Sequence, residues 1–106
     1  MTKYSNKGLL VIGGGILQHT TFELCRKLSI NTYLVDGNPN CYSNKYADHF
    51  IHIDYRDTSL LLNKAKDLKE KGLVHGVFTQ GTDGEHIVAY LAQELNFHGM
   101  DYEAAM

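Results

Sequence analysis

Proline and cysteine are scarce in this 106-residue chain, charge of both signs is balanced, and long apolar runs are missing. Each shortage removes a class of protein. The two cysteines, Cys25 and Cys41, fall on a predicted helix and in a polar loop, with no secretory signal ahead of them. Both are therefore read as free thiols rather than a disulfide framework. A formal net charge of −2, evenly spread, provides no basic stripe to grip a phosphodiester backbone, which argues against nucleic acid. No apolar run approaches the roughly 20 residues of a membrane span, and the polar start, residues 1–7, is not followed by a signal-peptide core. The expected location is the cytoplasm, with no membrane partner.

What the chain does contain is the pattern of one α/β domain. Its 43% apolar and 21% charged residues are ordinary for a globular protein, and its length suits a single core spanning residues 1–106. Four short apolar runs read as strands: Gly8–Ile12, Thr32–Val35, Phe50–Ile53 and Val74–Phe78. Helical stripes at 3.6-residue spacing lie between and after them. The first is Leu17, Thr21, Leu24, Cys25 and Leu28, the second Leu61, Ala65 and Leu68, and the third Ile87, Val88, Leu91 and Leu95. Strands alternating with helices predict a mainly parallel sheet covered on both faces, a Rossmann-like three-layer fold with strand order 3-2-1-4. The one proline, Pro39, sits in the turn-rich stretch 36–40. At the other end, Asp101 has the character of an N-cap and Tyr102–Met106 start a helix of about one turn, too short to stand alone. The expectation is a domain truncated from a longer protein.

Three loops carry the candidate chemistry. Gly13, Gly14 and Gly15 join the first strand to the first helix, where glycine permits a sharp turn and the helix start favours an anion. The dinucleotide fingerprint G-x-G-x-x-G is incomplete, because Gln18 stands at its third glycine and obstructs close helix–strand packing. Asp36 ends the second strand 21 residues after Gly15. It is placed either to meet a ribose hydroxyl or to make an Asx turn in Asp36-Gly37-Asn38-Pro39-Asn40. After the fourth strand, Thr82 and Glu85 have capping-box spacing and Asp83 suits the helix dipole. All three loops leave carboxyl ends of strands, so Gln18, Asp36, Thr82 and Asp83 are candidates to border one crevice. Six histidines raise the question of a metal, but His49 and His52 alternate across a strand and the others are scattered singly, so none is expected. No acid–base pair can be named from spacing, and the catalytic residues are unknown.

Taken in order, residues 10–18 (LVIGGGILQ), 35–40 (VDGNPN), 45–48 (KYAD), 76–83 (GVFTQGTD) and 102–105 (YEAA) resemble the pre-ATP-grasp domain of ATP-grasp proteins, nearest to those described as carbamoyl-phosphate-synthase large-subunit-like. The resemblance spans nearly the whole chain. It implies the N-terminal, substrate-side domain of an ATP-dependent carboxylate–amine ligase, not catalytic alone. ATP and magnesium are then held mainly by the missing ATP-grasp domain, with no cofactor in this piece. Gly14, Gly15 and Gln18 match the substrate-side loop, Asp36 and Asn38 the loop after the second strand, and Thr82 and Asp83 the last loop. A small carboxylate substrate and a homodimer surface are the implied partners. Two other readings of the residues stand beside it: a nicotinamide- or nucleotide-binding module, which Gln18 counts against, and a non-catalytic regulatory domain on the same scaffold.

Overall fold

A computed structural model describes residues 6–79 and 85–96. The first strand, β1 (Gly8–Ile12), is followed by a 3₁₀ turn (Ile16–Gln18) and helix α1 (His19–Leu28). Strand β2 (Asn31–Asp36), a second 3₁₀ turn (Tyr42–Tyr46) and strand β3 (His49–His52) come next. Helix α2 (Thr58–Glu70), strand β4 (Gly76–Phe78) and helix α3 (Glu85–Leu95) complete the described chain. All four strands pair parallel in the order β3-β2-β1-β4, as the alternation of strand and helix predicts. The reading of residues 101–106 lies outside the described residues, as does the capping box at Thr82.

The sheet is covered on both faces because its central strands are apolar on both. Leu10, Ile12, Tyr33, Val35 and Val77 face a core closed by Leu61, Ala65 and Leu68 of α2 and by Ile87, Val88, Leu91 and Leu95 of α3. Val11 and Leu34 point the opposite way, onto Phe22 of α1, with Cys41, Tyr46, Ala47 and Phe50 packed around them. The stripes expected on α2 and α3 are the ones buried. That on α1 is not: Phe22 and Cys25 are buried, whereas Leu24 is 55% exposed. Phe22 and Cys25, three apart on α1, define the face that packs on the sheet, and Leu24, about 100° round the helix from Cys25, falls outside it.

Local chemistry fixes the joints. Ser29 closes α1 in the left-handed region at φ 58°, with the Ile30 N–H bonded to the Cys25 carbonyl at 2.8 Å. The Asp57 side chain caps α2 by accepting from the Leu60 N–H at 3.2 Å. Before β3, Asp48 Oδ2 accepts from the Thr32 N–H at 2.8 Å and hydroxyl at 3.2 Å, while the Asp48 N–H donates back to that hydroxyl at 3.0 Å. This reciprocal pair sets where β3 begins beside β2.

Candidate functional site

In a sheet of order 3-2-1-4 the chain runs outward from β1 to β3 and then crosses back to β4. The strand order therefore reverses at the carboxyl ends of β1 and β4, where open α/β sheets bind ligands. Three glycines occupy the exit of β1, and each has a different reason to be there. Gly13 has φ 88°, a conformation costly for any residue with a Cβ, and its N–H is tied to the Val35 carbonyl at 2.8 Å. Gly14 is a matter of space, since a Cβ would lie 2.5 Å from Cys41 Sγ and 3.1 Å from Leu34 Cδ2. Gly15 is needed for neither. Its φ is −67°, ordinary for any residue, and a Cβ there meets nothing within 4 Å.

The turn is held from the side by two neighbouring segments. Asp36 Oδ2 accepts from the Gly14 N–H at 2.8 Å and Oδ1 from the Asn38 N–H at 2.8 Å. Asn38 Oδ1 accepts in turn from the Asn40 N–H at 2.9 Å. Of the two jobs open to Asp36, the Asx turn is therefore made, and the carboxylate meets the glycine turn as well. From the second 3₁₀ turn, the Ser43 N–H donates to the Gly14 carbonyl at 2.9 Å and its hydroxyl to the Gly15 carbonyl at 3.1 Å. These bonds leave the Gly15 N–H without an acceptor among the described residues.

Gln18 lies beneath the turn, fully buried. Its Nε2 donates to the Ile12 carbonyl at 3.1 Å and to Thr79 Oγ1 at 3.2 Å, and the Thr79 hydroxyl donates to that same carbonyl at 2.7 Å. The side chain fills the space between helix and strand that a third fingerprint glycine would leave empty, and it ties β1 to the end of β4. Its Oε1 has no hydrogen-bond partner among the described residues. An orphaned buried acceptor is costly unless a donor reaches it.

The structure thus brings Gly14, Gly15, Gln18, Asp36 and Asn38 to the carboxyl ends of β1 and β2. Thr82 and Asp83 lie outside the described residues. Ser43 and Cys41 were missed by sequence reasoning because residues 37–48 carry no helical or strand periodicity. Thr79 belongs to the segment 76–83, yet a threonine at a strand end gives no sign that it will bond a carbonyl on the neighbouring strand. Burial pushes the Cys41 thiol above its ordinary value, and the Asp36 charge acts the same way. Cys25 is raised too, first by burial and then by the charge of Asp48. No group of three or more His, Cys, Asp or Glu among the described residues is arranged to hold a metal ion. No helix among them is long and apolar enough to cross a membrane.

These features define a Rossmann-like α/β domain whose glycine turn opens at the switch point of its sheet. No protein-family model matches the chain. Carnosine synthase 1 from Homo sapiens is 32% identical over 95 residues, covering 84% of this chain and 12% of that protein. Phosphoribosylglycinamide synthetase from Anaerococcus prevotii superposes with a TM-score of 0.75 at 27% identity, over 93% of this chain and 25% of that one. N5-carboxyaminoimidazole synthetase from Staphylococcus aureus, complexed with ADP, gives a TM-score of 0.67 at 20% identity, over 93% of this chain and 25% of that one. The chain therefore spans about an eighth of the curated relative and a quarter of the solved structures. Its fold is that of the N-terminal, pre-ATP-grasp part of ATP-grasp enzymes.

Proposed function

We propose that this chain is the substrate-side domain of an ATP-dependent carboxylate–amine ligase, of the carbamoyl-phosphate-synthase-like kind, and is inactive alone. The observation that carries the reading is Gly15, the one glycine of the turn that neither backbone angle nor packing among the described residues requires. A glycine with no structural reason, on a turn with an unused N–H, suits close approach by a ligand. The start of the helical segment adds a partial positive charge, so the fitting ligand is a small carboxylate or the acyl phosphate made from it. In this reading the turn binds and orients the carboxylate. Asp36 and Ser43 keep the turn in shape, and Gln18 locks it to β4. The remaining substrate contacts, Thr82 and Asp83 among them, come from the loop after β4.

ATP and magnesium belong to a following ATP-grasp domain, which accords with the small share of each relative that this chain spans. The parent protein acts in the cytoplasm, and the domain offers it a surface for pairing as a homodimer. The test is ATP-dependent phosphate release by that parent protein, supplied with small carboxylates and amines. Gly15→Val is expected to lower kcat/KM at least about tenfold without lowering the melting temperature, the equivalent of about 1.4 kcal/mol of lost transition-state binding. Release that ignores Gly15→Val removes the turn from the substrate site.

A further inference from the structure

The amino ends of the strands, remote from the glycine turn, hold a second concavity. It encloses about 380 Å³ between the end of α1, the start of β2 and the segment entering β3, and its lining includes Phe22, Arg26, Ile30, Thr32, Tyr46 and Asp48. Phe22 and Thr32 are buried and give it a fixed floor. Arg26 and Asp48 supply opposite charges. Among the described residues, Arg26 Nη2 reaches only the Tyr46 carbonyl, at 3.5 Å. Asp48 is anchored through Oδ2 by Thr32, while its Oδ1 accepts no hydrogen bond among the described residues. Neither residue belongs to an ion pair among the described residues.

Two opposite charges that line one cavity without forming an ion pair suit a ligand carrying both. A simple anion drawn to Arg26 meets repulsion from Asp48, and a simple cation drawn to Asp48 meets repulsion from Arg26. A carboxylate and an ammonium on one small molecule gain a charge-assisted hydrogen bond at each end. The volume lies within the range of small-molecule sites, roughly 300–1,000 Å³. We propose that this cavity binds a small zwitterion of the amino-acid type, its carboxylate on Arg26 and its ammonium beside Asp48. The site is independent of the glycine turn, and its failure leaves the ligase reading untouched.

Amide chemical shifts of the ¹⁵N-labelled chain, titrated with glycine, β-alanine and γ-aminobutyrate, test it, with acetate and methylammonium as single-charge controls. The expected result is a saturable shift at Arg26, Asn31, Thr32 and Asp48 with at least one zwitterion and with neither control. Arg26→Gln, a change at an exposed position, should raise the dissociation constant at least about tenfold without altering the melting temperature, since the carboxylate loses its charged hydrogen-bond donor. Asp48→Asn, which retains an acceptor for Thr32 but not its charge, should raise the dissociation constant by a similar factor. Absence of saturable shifts with all three zwitterions, equal shifts with acetate, or indifference to Arg26→Gln would overturn the site.

Discussion

The Asp36 carboxylate at the end of β2 accepts from the Gly14 N–H at the end of β1, 2.8 Å away, and uses its other oxygen on the Asn38 N–H. One side chain thereby couples two of the three loops that leave the carboxyl edge of the sheet. Asp36→Ala strands both N–H groups and should lower stability by about 1.5–3 kcal/mol, the usual worth of hydrogen bonds to a charged acceptor. Urea unfolding of the purified chain measures it. A change below half a kcal/mol would mean that the turn holds its shape without Asp36.

Gly14 and Cys41 make a packing pair with no room between them. Gly14→Ala is expected to cost about 1–3 kcal/mol through overpacking. Cys41→Ala removes the sulfur in its way, so the double variant should recover most of that loss. A coupling energy near zero in the double-mutant cycle would contradict the close approach.

Gln18→Ala deletes two buried hydrogen bonds and leaves a small void, for an expected loss of about 1–3 kcal/mol. Because the side chain also joins β1 to β4, amide hydrogen exchange should accelerate at Val77 and Phe78. Unchanged exchange there would show that Gln18 fills space without linking the strands.

Asp54 gives the clearest pH signature. The Arg56 guanidinium and N–H both bond its carboxylate and hold its pKa down to about 2. The native state thus favours the ionised form more than the unfolded chain does. Its contribution is present above the ordinary carboxylate value and is lost as pH falls through about 2. The pair lies at the surface, so added salt should weaken it. Carboxyl ¹³C titration reads the midpoint directly. Arg56→Gln should return it toward the ordinary value, and an unchanged midpoint in that variant would place the cause elsewhere.

Much of the fold was legible in the sequence because the signals that mark it are local and repeated. Leu9, Leu10, Val11 and Ile12 are apolar without alternation, which suits a strand covered on both faces, and the stripes of α2 and α3 have one period throughout. The α1 stripe was misread at Leu24 because Leu24, Cys25 and Leu28 fit helical spacing as well as Phe22 and Cys25 do, and spacing alone does not say which face meets the sheet. The glycine turn was visible as a turn. What distinguishes Gly13, Gly14 and Gly15 was not, since one answers to a backbone angle, one to a sulfur 27 positions later, and one to nothing within the described residues. Ser43 and Thr79 escaped for the same reason: their partners, Gly14, Gly15 and Ile12, are remote in sequence.

Gly15 separates a merely structural turn from a binding turn, and one experiment on the chain addresses it. Gly15→Ala should leave the fold intact and raise stability by about 0.4–1 kcal/mol, because its backbone angle already suits alanine. Amide shifts of both forms would then be followed against small carboxylates, acetyl phosphate, ATP–magnesium, NAD and NADP. The account predicts weak, saturable shifts at Gly14, Gly15 and Ile16 with a carboxylate or acyl phosphate, diminished in Gly15→Ala, and no saturable response to any nucleotide. Saturable binding of NAD or NADP at this turn, or an anion response that Gly15→Ala leaves unaltered, would contradict it.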